Sequence, residues 1–155
     1  MATTALQLCV RRAPSPVSGG YAMMVRLEMP SDVECIEQAV SLVTRHCLSG
    51  SGCVERFRFR LQVALSEALA NAVIRGNREN AAKRVFIEAE LSPEIIRVSV
   101  TDEGDGFDPA MVPEPIRPEQ LFETCGRGLF LIRKLVDDVR FNEQGNSICM
   151  TLRRR

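Results

Sequence analysis

Glu67 and Asn71 stand four positions apart in the run Glu67-Ala68-Leu69-Ala70-Asn71-Ala72, a spacing that puts two side chains on one face of an α-helix. With Leu61 set at zero and about 100° per residue, Leu61, Ala64, Leu65, Ala68 and Ala72 form one apolar stripe, and Val63, Ala70 and Ile74 form a second. Glu67 and Asn71 fall in the gap between the stripes, at about 240° and 280°, away from the polar side that carries Gln62 and Ser66. A carboxylate and an amide turned from solvent need polar partners, because an unpaired buried charge is costly. Two arrangements meet that need. One is an internal hydrogen-bond network. The other is a Mg²⁺ site, in which the Asn71 amide oxygen is one ligand beside phosphate oxygens and water. Glu67 would then orient or deprotonate a nucleophile attacking a γ-phosphate.

Two glycine motifs lie downstream. In Thr101-Asp102-Glu103-Gly104-Asp105-Gly106-Phe107 the carboxylate of Asp102 stands at a strand end, where it can accept from an exocyclic amine such as that of adenine. Gly104 and Gly106 let the backbone pass close to a ligand with no Cβ in the way. An acidic glycine turn without a ligand fits this motif as well, and EF-hand spacing is missing. Gly126-Arg127-Gly128-Leu129 follows a long loop and is expected to open a helix, where free N–H groups and the helix dipole bind phosphate. The plain alternative is a glycine-rich helix entry with no ligand. No GxxxxGK[ST] segment occurs, and no strand-borne GxGxxG with an acidic partner.

The elements that must position these residues read as β-α-α-β-β-loop-α-β-β. Residues 1–20, with Pro14, Pro16, Ser18, Gly19 and Gly20, are expected to be a flexible leader, and 21–155 a single domain. A strand is expected over 21–29. Ser31 should cap the next helix, with Glu34 completing a capping box, and that helix should run to about residue 47. A loop at Ser49-Gly50-Ser51-Gly52 precedes a long helix over 54–76 that stops at Gly76-Asn77. Strands follow over 84–91 and 95–101. Residues 103–126, with Pro109, Pro113, Pro115 and Pro118, read as a lid loop. A helix over 128–137 and a hairpin turned at Gln144-Gly145-Asn146 close the chain. Strands that arrive as hairpins imply an α+β, two-layer sandwich: a mainly antiparallel sheet with helices on one face.

The 155 residues suit one domain, and 20 basic side chains balance 20 acidic ones. A nucleic-acid binder usually carries a basic excess, so no direct nucleic-acid contact is expected. The run Arg153-Arg154-Arg155 reads as a solvated end. The six cysteines form no CxxC pair and no zinc spacing, and His46, the only histidine, reads as an ordinary residue near a helix end. No secretory signal or membrane span is apparent. A cytoplasmic protein is expected.

The order of these motifs resembles the GHKL ATPase superfamily, and within it the anti-sigma-factor serine kinases of the RsbW and SpoIIAB type. Residues 67–72 look like the family's N box, Asp102 to Phe107 its first glycine box, and Gly126 to Leu129 its second; the likeness spans roughly residues 22–153. It implies a Bergerat-type sandwich that binds ATP and Mg²⁺, with Asn71 as the metal ligand, Glu67 as general base and Asp102 as adenine reader. Gly106 would shape the purine pocket, Gly126 and Gly128 would approach the phosphates, and Thr151 would assist at adenine. The boxes also put Gly104, Phe107, Arg127 and Leu129 at the nucleotide. Many relatives have His where Arg75 stands, and Arg75 either supports phosphate or is solvated at the helix end. The resemblance further implies a sigma factor and an anti-anti-sigma (STAS-domain) protein as partners, phosphorylation of a serine or threonine on the latter, and a homodimer. The same residues also suit a non-catalytic nucleotide-binding switch that regulates a partner through lid ordering.

Overall fold

The computed structural model describes residues 6–15, 19–48, 55–108 and 124–154. Among these described residues, six antiparallel strands form one sheet in the order β1-β2-β3-β4-β6-β5. They are β1 (Gln7–Pro14), β2 (Tyr21–Pro30), β3 (Arg84–Leu91), β4 (Ile95–Asp102), β5 (Asp138–Phe141) and β6 (Ser147–Arg153). Alternation decides which face is dry. Val25, Leu27 and Met29 of β2, Val85, Ile87 and Ala89 of β3, Ile96, Val98 and Val100 of β4, and Met150 and Leu152 of β6 are buried. The register aligns them in rows such as Leu27–Ile87–Val100 and Val25–Ala89–Val98–Met150. The opposite face carries Arg26, Glu88 and Glu90, with Arg26 paired to Glu88 at 2.9 Å.

Three helices, α1 (Ile36–Leu48), α2 (Glu55–Ala70) and α3 (Thr124–Leu135), cover the dry face. Ala39, Val40 and Val43 of α1, Leu61, Leu65, Ala68 and Leu69 of α2, and Ile132 of α3 join the strand residues in one core. This is the α+β sandwich expected, with the stripe through Leu61, Ala64, Leu65 and Ala68 facing the sheet. Cys9, Cys35, Cys47 and Cys149 are free thiols; burial pushes Cys47 up to about 12, which leaves it unreactive.

Two expectations change. The leader expected over 1–20 contains β1, paired along its length with β2. Where the two strands end, Ser15 N–H donates to Gly20 O at 2.7 Å. Seven of the eight β1 side chains are exposed, so β1 is held by backbone pairing and lacks the buried alternation that marks a strand in a sequence. The first helix is capped by Asp32, not Ser31: Asp32 Oδ1 accepts from Glu34 N–H at 2.9 Å, and a short 3₁₀ turn, Val33–Cys35, leads into α1. Ser31 is buried, with its backbone N–H tied to Lys83 O. The loop at 49–52 and most of the proline-bearing lid, residues 109–123, lie outside the described residues.

Candidate nucleotide site

Glu67 and Asn71 lie at the end of α2, where the helix changes pitch. From Asn71 to Gly76 it widens into a π turn, and Asn77 N–H donates to Ala72 O, five residues back, at 2.8 Å. A π turn absorbs one extra residue and is frequent at functional sites. Because it starts at Asn71, the Glu67–Asn71 stack keeps α-helical spacing. Beyond it, the position that Arg75 would hold on a regular helix passes to Gly76. Arg75 is accordingly exposed, while Gly76 packs so closely on Asp102 that a Cβ there would overlap the carboxylate.

Helix α3 crosses this stack at a glycine. A Cβ on Gly128 would lie 2.9 Å from Glu67 Oε2, 3.4 Å from Asn71 Nδ2 and 3.6 Å from Asn71 Oδ1. The spatial convergence expected of the first and third motifs is therefore present. Its form differs in one respect: the described part of α3 begins at Thr124, so Gly128 sits inside the helix rather than at its opening. The unpaired N–H groups of a helix belong to its first turn. Gly126 falls among them; Gly128 lies beyond, and the close approach to Glu67 and Asn71 explains why it has no side chain.

Asp102 ends β4 on the helix side of the sheet. Its Oδ1 accepts from Gly104 N–H at 2.8 Å, and a Cβ on Gly104 would overlap the Gly76 carbonyl. Burial raises the Asp102 pKa above the ordinary carboxylate value, against the opposing pull of the Gly104 N–H and Lys83. A desolvated acceptor of this kind suits an exocyclic amine. Gly106 has φ +77° and packs on the Gln144 carbonyl, while Gly145, φ +75°, packs on the Phe107 backbone. The first glycine motif is thus locked to the β5–β6 turn, an attachment reinforced by the edge-to-face contact of Phe107 with Phe141, centroids 5.2 Å apart.

The donor set fits Mg·ATP in one specific way. The Asn71 amide offers one hard oxygen beside a glycine path on α3, a ligand of the type that a phosphate-bound Mg²⁺ takes, and the Glu67 carboxylate lies next to it. Among the described residues no three His, Cys, Asp or Glu side chains group to hold a metal ion, so a cation at Asn71 would draw its other ligands from phosphate and water.

Residues 29–152 match the histidine kinase-like ATPase domain. This chain belongs to that family. It is similar to the protein named serine-protein kinase RsbW of Oceanobacillus iheyensis, 34% identical over 109 residues, which cover 63% of this chain and 69% of the relative. The RsbW of Listeria innocua is 28% identical over 138 residues, 82% of this chain and 85% of the relative. That of Staphylococcus aureus is 29% identical over 135 residues, 82% and 84%. The match to the ATPase family begins in β2 and leaves β1 outside.

Within this ATPase domain the remaining expected residues divide. Leu129 is buried, Arg127 exposed and Phe107 44% exposed. Thr151 is a correction. Met150 and Leu152 on either side of it are fully buried toward the helices, so strand alternation turns Thr151 to the opposite face, where its register partners are Arg97 and Asp138. It does not join Glu67, Asn71 and Asp102. Three residues were not anticipated at the site: Gly76, Asn77 and Asn146. Asn146 Nδ2 donates to Asp102 O at 2.9 Å, and Asn146 O accepts from Asp102 N–H at 2.9 Å. The Gln144-Gly145-Asn146 turn was legible in the sequence; its contact with Asp102 was not. No helix of the described residues is long and apolar enough to cross a membrane.

Proposed function

We propose that this chain is a cytoplasmic anti-sigma serine/threonine kinase that binds Mg·ATP between Asn71 and the start of α3, phosphorylates a STAS-domain anti-anti-sigma partner, and sequesters a sigma factor as a homodimer. The observation that carries the reading is the approach of Gly128 to both Glu67 and Asn71, in a chain whose relatives are named serine-protein kinases. Asn71 would hold the metal. A Mg²⁺ held there would supply positive charge to offset that of the phosphates. Gly126 and its neighbours at the start of α3 offer N–H groups to phosphate, and Asp102 accepts from the amine of adenine.

Glu67 takes the proton of the attacking hydroxyl. The partner's serine oxygen forms its bond to the γ-phosphorus as the bond to the β-phosphate oxygen breaks, and ADP leaves. Phosphate incorporation into the partner, read by mass spectrometry, tests this. Glu67→Ala should abolish transfer and leave ATP binding largely intact; undiminished transfer removes Glu67 from the mechanism. A partner that stays unmodified with the unsubstituted chain and Mg·ATP, while nucleotide still binds, would point instead to the non-catalytic switch.

A further inference from the structure

We infer that Asn77 is a positioning residue for the base-reading loop: its carboxamide replaces one rung of the β3–β4 ladder and so sets Asp102 against the helix that carries Glu67 and Asn71. The inference rests on the nucleotide reading above.

The β3–β4 register runs from Leu91↔Ile96 to Val85↔Asp102. The next rung would join Arg84 to Glu103, but those two backbones do not meet. Glu103 N–H donates to Asn77 Oδ1 at 2.8 Å, and Asn77 Nδ2 donates to Arg84 O at 2.9 Å. The Arg84 N–H turns instead to Glu103 Oε1, at 2.7 Å. A carboxamide carries one acceptor and a donor in the plane of a peptide group, so Asn77 bridges the strands as an inserted peptide would. The insertion ends the ladder at Asp102 and spreads the two chains just where the glycine loop departs. Gly104 N–H can then fold back onto Asp102 Oδ1.

Asn77 is 1% exposed, and its own backbone N–H is spent on Ala72 O, inside the π turn. The same residue therefore terminates the metal-and-base helix and orients the loop that reads adenine. Asn146 secures the backbone of Asp102 from the other side, which leaves Asn77 to decide the direction in which the loop leaves the sheet. Among the described residues no other side chain bonds both the Arg84 carbonyl and the Glu103 N–H. An aspartate would set an oxygen against the Arg84 carbonyl, and an alanine would leave a buried N–H and a buried C=O unpaired.

Fluorescent ATP and GTP analogues, titrated against the full chain in Mg²⁺, test the assignment. A misaimed Asp102 loses the adenine amine but also ceases to repel the guanine carbonyl. Asn77→Ala should therefore weaken ATP binding about tenfold and narrow the ATP-over-GTP preference, with KM for ATP rising more than kcat falls. A purely structural residue would lower both nucleotides' binding alike. Should Asn77→Ala not fold, Asn77→Ser keeps a hydroxyl at the site and should show the same narrowed preference. An unchanged ATP-to-GTP ratio in a folded variant, beside normal binding by the unsubstituted chain, overturns this assignment alone. Failure of the unsubstituted chain to bind either analogue overturns the nucleotide reading and this with it.

Discussion

Gly128 makes a demanding residue-scale test, because a single methyl group would press against Glu67 Oε2 at 2.9 Å. Gly128→Ala should destabilise by about 1–3 kcal/mol through overpacking and reduce nucleotide affinity more than that strain alone predicts; thermal melts beside nucleotide titration separate the two. Asp102 gives a pH-dependent test. Burial raises its pKa, so the ionised carboxylate opposes folding, and stability present when it is protonated is lost as pH rises through the folded-state value. Asp102→Asn should therefore raise the melting temperature at neutral pH while weakening ATP binding. The stability gap should close below about pH 4, where unfolded aspartates also protonate. A variant that gains neither stability nor a binding defect would contradict this role. At this scale the sequence was informative wherever helical spacing decides the outcome, as for Glu67 and Asn71. Thr151 was misplaced even though its apolar neighbours Met150 and Leu152 already signalled the opposite face.

At the scale of elements, two features left no trace in composition. The long helix over 54–76 is continuous in periodicity, and nothing in Asn71–Gly76 announces a π turn. That turn is followed by Arg78 and Glu79, at φ 53° and 56°, left-handed positions normally given to glycine. Glu79 N–H is compensated by a 2.8 Å bond to Val73 O. Replacing Arg78 or Glu79 with glycine should leave stability unchanged or raise it by up to about 1 kcal/mol, measured by denaturant titration; a loss above that size would show that the side chains matter more than the backbone. The far end of α3 is held by Arg60, which donates from Nε to Leu135 O at 2.6 Å and pairs with Asp137 at 3.0 Å. Both partners are about 85% buried, as their side-chain exposures of 15% and 16% show. Arg60→Ala should therefore cost about 2–4 kcal/mol, lowering the melting temperature by roughly 5–15 °C in a domain of this size. The helices were legible because they bury a stripe. Strand β1 buries almost nothing, and it was read as a leader for that reason.

For the whole molecule, the hairpin order of strands sufficed to foresee a sandwich with helices on one face, since hairpins leave little choice but antiparallel pairing. The closure of the site was less visible: it depends on Asn77 and Asn146 reaching across 26 and 44 residues, distances at which a sequence pattern carries no signal. In the proposed function everything turns on Asn71, which would hold a magnesium-bound triphosphate under α3. Isothermal titration with ATP, with and without Mg²⁺, on the unsubstituted chain and Asn71→Ala tests it most directly. The former should bind in a Mg²⁺-dependent way, and the latter should lose that dependence at unchanged fold. No heat from the unsubstituted chain at millimolar nucleotide, or equal Mg²⁺-dependent binding by both proteins, would contradict it.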